Sequence, residues 1–155
     1  MCYNINRRKK KMLLYHGSNR PFKILKNDQL TNSPDKDRKE REWKRRNVIY
    51  FSSSFAFALF FAAKPKLGKN MMSIKRGIVY FEKLDKLNPE EDVYIQIIDI
   101  ADIPKEKRRW ANEYELKVQL DEIKPVRIEI HKAGEIFEHF EVIKDEEEFE
   151  RRKAS

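Results

Sequence analysis

The sequence contains little cysteine, little histidine and no long apolar run. Its one cysteine, Cys2, excludes an internal disulfide, which fits a reducing, cytoplasmic setting and argues against a disulfide-stabilised secreted scaffold. The three histidines, His16, His131 and His139, do not combine with that cysteine in the spacing of a zinc site. We therefore expect no metal site, and we interpret His131 and His139 as structural or surface residues.

The longest apolar run lies around residues 51–63 and is too short and too rich in serine to span a bilayer. The first residues, MCYNINRRKKK, are basic, but no apolar stretch of the signal-peptide type follows them. We therefore expect neither a membrane segment nor a secretory signal.

Charge and aromatic residues are abundant instead. A chain of 155 residues suits one domain that is large enough to bury a core. Hydrophobic residues make up 40% and charged residues 39%, which indicates a folded but strongly solvated protein. The formal charge of +8 and the isoelectric point near 9.5 favour an acidic partner, such as nucleic acid or a polyphosphate ligand.

The charge pattern divides the chain into three parts. Residues 1–11 are predicted to be a flexible basic arm, and residues 145–155 a charged C-terminal helix or tail with acid first and base last, the order that suits a helix dipole. Residues 12–144 lack repeats and low-complexity linkers, which favours one α+β domain. Within it, residues 35–46 are almost wholly charged around Trp43, and we expect a loop or an exposed helix there.

Two strands are predicted to end in polar residues. Residues 12–15 form a short apolar strand that leads into His16, Gly17 and Ser18, a pattern that also fits a simple tight turn. Residues 48–51 form a second strand, and the serines after it cap a helix over 55–64. Residues 22–25 are predicted to be a short helix or strand. Further strands are predicted over 77–81, 93–100, 114–120, 126–130 and, with a weaker pattern, 136–143.

Three separated pieces of the sequence resemble a known family when they are taken in order. They are the strand that ends in His16, the Ile49-Tyr50-Phe51 strand followed by serines and an alanine-aromatic helix, and Asn112-Glu113-Tyr114 entering a strand. The set resembles the ADP-ribosyltransferase fold, in its His-Tyr-Glu branch of diphtheria-toxin-like and poly(ADP-ribose)-polymerase-like proteins, over roughly residues 12–130. The resemblance implies split antiparallel β-sheets with a few flanking helices.

The resemblance also implies a role for each matching residue in binding NAD. His16 would hydrogen-bond the adenosine ribose, and the Gly17 backbone would hold the nicotinamide amide. Tyr50 would stack on the nicotinamide ring, and Phe60 would form the opposite wall. Glu113 would bind the 2′-hydroxyl of the nicotinamide ribose. The cofactor-binding set implied in this way is His16, Gly17, Ser18, Tyr50, Ser52 and Phe60, and the catalytic set is His16, Tyr50 and Glu113.

The chemistry of NAD cleavage accounts for these residue types. Breaking the bond between nicotinamide and ribose passes through an oxocarbenium-like state, which a fixed carboxylate stabilises more than it stabilises the ground state. Nicotinamide leaves as a neutral base, so the reaction needs neither a protonating acid nor a metal. A flat aromatic face orients the ring and excludes water.

The chain departs from the family pattern in two places. Relatives often carry small glycine-rich residues before the tyrosine, whereas residues 45–47 here are Arg-Arg-Asn, which could bind the pyrophosphate or guide a nucleic-acid acceptor. In addition, residues 52–54 and 113–115 resemble motifs of the Arg-Ser-Glu branch, although that branch expects an arginine in place of His16. Glu115 is therefore an alternative to Glu113, since both would share one face of a strand.

These observations predict an NAD-dependent, toxin-like mono-ADP-ribosyltransferase that modifies a macromolecule, with nucleic acid slightly favoured over protein. A neutralising antitoxin would be a further partner. One alternative is an RNA 2′-phosphotransferase, although its expected arginine and histidine set is not visible. The other is a non-enzymatic, basic nucleic-acid-binding module on a degenerate fold.

Overall fold

The computed structural model describes residues 11–26 and 48–155. The predictions for the basic arm before Lys11, for the charged segment around Trp43 and for the basic residues 45–47 lie outside these described residues.

The described residues form an α+β structure of several sheets and three helices. The strands are β1 (Leu13–Ser18), β2 (Leu25–Lys26), β3 (Ile49–Ser52), β4 (Asn70–Ser73), β5 (Ile78–Phe81), β6 (Asp92–Asp99), β7 (Arg108–Trp110), β8 (Glu115–Val118), β9 (Glu122–Ile123), β10 (Arg127–Lys132) and β11 (Glu141–Val142). The helices are α1 (Phe55–Ala63), α2 (Ile136–His139) and α3 (Glu146–Ala154).

The largest sheet has six antiparallel strands in the order β10-β6-β1-β3-β8-β7. Strand β6, second from one edge, places Val93, Ile95 and Ile97 in one apolar cluster with α1, and Ile98 in a second cluster on the opposite face. This alternation follows from the two-residue period of side chains along a strand. Because both faces are covered, the sheet is the middle layer of the fold.

Helix α1 covers one face of the sheet beside β1. The Ser54 hydroxyl accepts a hydrogen bond from the Phe57 amide (3.1 Å), which caps the first turn as the sequence predicts. The helix ends at Ala63; Lys64 has an extended backbone, as expected of a residue that precedes proline, and Pro65 excludes further helix. Its residues are apolar on nearly every side, so it is buried on several sides rather than along one stripe.

A smaller sheet places β5 between β4, which is antiparallel to it, and β11, which is parallel. Phe149 of α3 packs on Ile78 and Ile143 there. Helix α3 lies within residues 145–155, which the sequence predicts to be a charged C-terminal helix or tail. Strands β2 and β9 form a two-stranded pair. None of the helices among residues 11–26 and 48–155 is long and apolar enough to cross a bilayer.

The predicted strand over 136–143 is wrong. Ile136 and Phe140 are both buried while Phe137 between them is exposed, which is the spacing of a helical turn, and the structure has α2 there, followed by the short β11. Residues 22–25 contribute only the start of β2, and β4 was not predicted because its sequence, NMMS, has no alternating pattern.

Candidate functional site

A cleft opens where β1 and β3 separate. The two strands pair only at Tyr15 opposite Ser52; β1 then continues to Ser18 along β6, whereas β3 is held by β8. The space between the separating strands belongs to a cavity of about 960 Å³, a size typical of small-molecule sites. Predicted site residues on both strands line it, namely His16, Gly17, Ser18, Tyr50 and Ser52.

His16 bridges the gap between the separating strands. Its Nδ1 lies 2.8 Å from the backbone carbonyl oxygen of Tyr50. A carbonyl only accepts hydrogen bonds, so Nδ1 carries the hydrogen and Nε2 of the neutral ring is an acceptor. Burial lowers the pKa of the His16 imidazole, against the raising effect of the Tyr50 carbonyl. The ring is therefore neutral near pH 7 and offers an acceptor to a hydroxyl group.

Gly17 allows α1 to approach the strand at the cleft. A methyl group on Gly17 would lie 1.9 Å from the backbone oxygen of Ala58 and 3.1 Å from Cβ of Ala62. Any side chain would push the helix away, so only glycine fits this contact. The small residues on this face of α1 and the glycine on β1 together hold the helix against the rim of the cleft.

Gln96, which was not predicted, fixes the backbone around His16. It is 0% exposed, and its Nε2 donates to the His16 carbonyl oxygen (2.8 Å) and to the Ser18 hydroxyl (3.0 Å). Its Oε1 accepts from the Phe22 amide (3.0 Å). A glutamine within the otherwise apolar centre of β6 is the signal that the sequence offers, because a buried amide needs hydrogen-bond partners.

The two predicted serines line the cleft, but their hydroxyl groups hold the protein backbone. Ser18 Oγ donates to the Arg20 carbonyl oxygen (2.6 Å), and Ser52 Oγ accepts from the Ser54 amide (2.9 Å). Both serines therefore shape the turns that follow their strands. Both residues line the cleft, and their hydroxyl groups bind the protein backbone.

The aromatic wall of the cleft differs from the prediction. Phe60 is 3% exposed and stacks on Phe81 in the core, with ring centroids 5.8 Å apart, and it does not line the cleft. Phe57 and Phe61, one helical turn apart and with ring centroids 5.1 Å apart, line it together with Tyr50. Phe61 is 43% exposed. The assignment of Phe60 as the second wall is therefore corrected to Phe61.

Of the two glutamates that the sequence offered for the site, Glu115 lines the cleft. It lies opposite Ser52 in the register of β8 with β3, and it is half-buried. Glu113 is exposed, precedes β8 and is not part of the cleft lining. The Oδ1 atom of Asn112 accepts from the amides of Tyr114 and Glu115 (2.9 Å each), and this turn separates the two glutamates. The structure thus brings His16 and Tyr50 together with Glu115 rather than with Glu113.

Cations surround the mouth of the cleft. Arg20, Lys64, Lys66 and Lys86 line it, with Glu91 as the acidic exception beside Glu115. Lys64 Nζ lies 5.1 Å from the ring centroid of Phe61, so this aromatic wall also carries positive charge. The four cations come from three distant parts of the chain, which is why the sequence alone did not group them. A positive rim around an aromatic cleft suits a ligand with phosphates and a flat ring.

His131 and His139 lie outside the cleft lining. His131 bonds Glu129 through Nε2 and Glu135 through Nδ1, both at 2.9 Å, and these carboxylates raise its pKa although burial opposes them. Within the described residues, no group of three or more His, Cys, Asp or Glu side chains could hold a metal ion.

Comparisons with protein families, curated proteins and solved structures found no match.

Proposed function

We propose that the chain is an NAD-dependent mono-ADP-ribosyltransferase of the toxin-like kind, built on an ADP-ribosyltransferase-like split sheet. One observation carries the proposal: the separation of β1 from β3 gathers His16, Tyr50 and Glu115 around a single cavity. These residue types are the histidine, tyrosine and glutamate of the resemblance, and they come from three neighbouring strands.

The polar groups of the cleft match the parts of NAD, which is the substrate that donates ADP-ribose. The His16 imidazole has Nε2 as an acceptor for a ribose hydroxyl, since Nδ1 is used by Tyr50. Tyr50 and Phe61 offer aromatic faces for the nicotinamide ring. The cations at the mouth would neutralise the pyrophosphate.

A carboxylate beside the ribose accounts for bond cleavage. Positive charge develops on the sugar as neutral nicotinamide leaves, and a fixed glutamate stabilises that charge. The resemblance gives this role to Glu113, whereas the cleft lining favours Glu115. The proposal takes Glu115, whose Oε1 accepts a hydrogen bond from the Asn112 side chain (3.2 Å) and is thereby oriented.

The direct test measures nicotinamide release from NAD by the purified chain and by Glu115→Gln and Glu113→Gln variants. We expect Glu115→Gln to reduce the rate by at least about 100-fold, the effect of losing one group that stabilises transition-state charge. Glu113→Gln is the matched control, since it removes the same charge two residues away. The reverse result moves the role to Glu113, and full activity in both variants refutes a catalytic glutamate.

The acceptor is identified by incubating the chain with labelled NAD and a cell lysate, then digesting the product separately with nuclease and protease. Label that nuclease releases supports a nucleic-acid acceptor. If NAD gives no thermal stabilisation and nucleic acid binds with strong salt dependence, the non-enzymatic module is the better description. The cytoplasmic location and the neutralising antitoxin stay predictions.

A further inference from the structure

Strand β10 forms one edge of the large sheet. Its inner side pairs with β6, with Glu129 opposite Ile95 and His131 opposite Val93. Among residues 11–26 and 48–155, no strand pairs with its outer side. An edge strand leaves the backbone groups of every second residue without a partner in the sheet, so the hydrogen bonds to β6 decide which residues of β10 face outward.

The hydrogen bonds around β6 fix this alternation. Just beyond β10, the Ala133 amide donates to the Glu91 carbonyl oxygen (2.8 Å). On the other side of β6, the Ile100 amide donates to the Met12 carbonyl oxygen (3.0 Å). Hydrogen-bonded and non-hydrogen-bonded pairs alternate along an antiparallel ladder, so the odd-numbered residues of β6 bond to β10 and the even-numbered ones to β1. The partners in β10 are then Arg127, Glu129 and His131.

Ile128, Ile130 and Lys132 are the residues of β10 whose backbone groups face outward. The Lys132 amide donates to the Glu135 carboxylate (3.0 Å), whereas within the described ranges no strand pairs with the two isoleucines on this side. The Ile130 side chain is also 63% exposed. Natural edge strands usually avoid an apolar side chain beside unpaired backbone groups, because the combination templates the addition of another strand.

The charge pattern of β10 favours a second copy of this strand as the partner. Two copies related by a two-fold axis, the commonest symmetry of homodimers, would pair antiparallel. With the axis at Ile130, Glu129 of each copy lies opposite His131 of the other, and the two Ile130 side chains cover each other. Glu129 already bonds His131 within the chain (2.9 Å), so the pairing extends an existing alternation of acid and base across the axis.

Other positions of the axis fit less well. An axis at Glu129 would place two carboxylates directly opposite each other, which is destabilising. An axis at Ile128 would pair Ile130 with Val126, whose amide is turned inward and donates to the Ile97 carbonyl oxygen (2.7 Å). We propose that two copies of the chain associate through antiparallel β10 edges with Ile130 on the axis, which forms one sheet continuous through both copies.

The proposed interface lies away from the cleft, because β6 and β1 separate β10 from the opening between β1 and β3. The inference therefore goes beyond the proposed function and does not depend on it. Because the net charge of +8 repels a second copy at low ionic strength, association is measured in about 0.15 M salt.

Sedimentation equilibrium of the full chain between about 1 μM and about 1 mM covers the Kd range of a weak dimer. We expect Ile130→Lys to abolish the dimer, since two lysines would meet at the axis. Ile24→Lys is the matched control at an exposed isoleucine (43%) outside β10, and it should leave the dimer intact. A chain that stays monomeric up to about 1 mM, or an Ile130→Lys variant that still dimerises as the wild type does, overturns the proposal.

Cysteine crosslinking tests the register. In a Cys2→Ser background, Ile130→Cys places two thiols at the axis, where the Cα atoms of a hydrogen-bonded pair are about 5.5 Å apart and within reach of a disulfide. Ile128→Cys is the matched control, because its two copies would lie four residues apart along the strands, at about 14 Å. Mild oxidation should crosslink only Ile130→Cys, and the reverse pattern or equal crosslinking of both refutes the proposed axis.

Amide hydrogen exchange tests the backbone directly. In a dilute sample the Ile128 and Ile130 amides should exchange faster than those of Glu129 and His131, which bond to β6. Raising the protein concentration should protect the two isoleucine amides. Protection that is already complete in the dilute monomer would show that the edge is covered within one chain, and it would refute the dimer.

Discussion

Replacing Gly17 with alanine tests the packing that shapes the cleft. The added methyl group would lie 1.9 Å from the Ala58 carbonyl oxygen. An ordinary contact needs about 3.5 Å, so α1 would have to move away from β1 by about 1.5 Å. Because the obstacle is backbone rather than a side chain that can rotate, we expect a loss of about 3 kcal/mol, the upper part of the usual range for overpacking.

The same displacement would move the aromatic wall. Phe57 and Phe61 are carried by α1, while Tyr50 and His16 stay on the sheet. A misplacement of about 1 Å can cost about 100-fold in rate, so NAD cleavage should fall further than stability alone implies. Urea unfolding measures the first effect, and nicotinamide release under conditions where the variant is folded measures the second.

Two controls define the result that would refute this reasoning. Gly77→Ala meets no atom within 4 Å, but its φ is +66°, so it should cost about 1–2 kcal/mol and leave nicotinamide release intact. Adding Ala62→Gly to Gly17→Ala should restore little, since the Ala58 oxygen still blocks the methyl group. If Gly17→Ala is as stable as the wild type, or if Ala62→Gly rescues it fully, the close helix contact is not what holds the cleft.

Three further substitutions separate structural from functional roles. Gln96→Leu should cost about 1–3 kcal/mol in urea unfolding, because the Phe22 amide loses its buried acceptor. Gln96→Glu should cost at least as much near pH 7, because a buried carboxylate oxygen would replace the Nε2 donor and face the His16 carbonyl oxygen. Phe61→Ala should weaken NAD-induced thermal stabilisation with a small loss of stability, whereas Phe60→Ala should cost about 3–5 kcal/mol, and equal effects would contradict the corrected wall. His131→Asn should lower the free energy of unfolding, because the raised pKa of His131 shows that folding stabilises its protonated form. The stability that His131 contributes is complete below its unfolded-state pKa of about 6.5 and is lost as pH rises through its folded-state pKa. The difference between wild type and variant in urea midpoint should therefore grow on acidification from about pH 8 to about pH 6, and a constant difference would contradict the ion pairs with Glu129 and Glu135.

The strands and helix that the sequence predicted well are those with strong local signals. The serine cap, the alanine-aromatic run and Pro65 determine α1 within a residue or two, because capping and ring geometry act over one turn. The apolar run before His16 and the β-branched strand before Ser52 are equally local. Local signals also identified the α+β class.

Local signals could not decide which of two neighbouring residues reaches the cleft, either for the aromatic ring or for the glutamate. Helix α1 is apolar on nearly all sides, so no amphipathic stripe tells Phe60 from Phe61, and only the packing of α1 on β1 and β5 decides which ring reaches the cleft. Glu113 and Glu115 would share a face of an ideal strand. The Asn112 turn interrupts that strand and leaves Glu113 outside the cleft lining.

The sequence by itself determined helix α1 and the main strands, the placement of a histidine, a glycine and a serine at the end of the first strand, and the positive net charge. The tertiary structure alone decided that β1 and β3 separate after one paired position, that Gln96 holds the strand end, and that β10 lies at the edge of the large sheet. The physical reason is that propensity and capping act within a few residues, whereas strand register joins residues far apart in the chain and depends on the packing of the whole sheet.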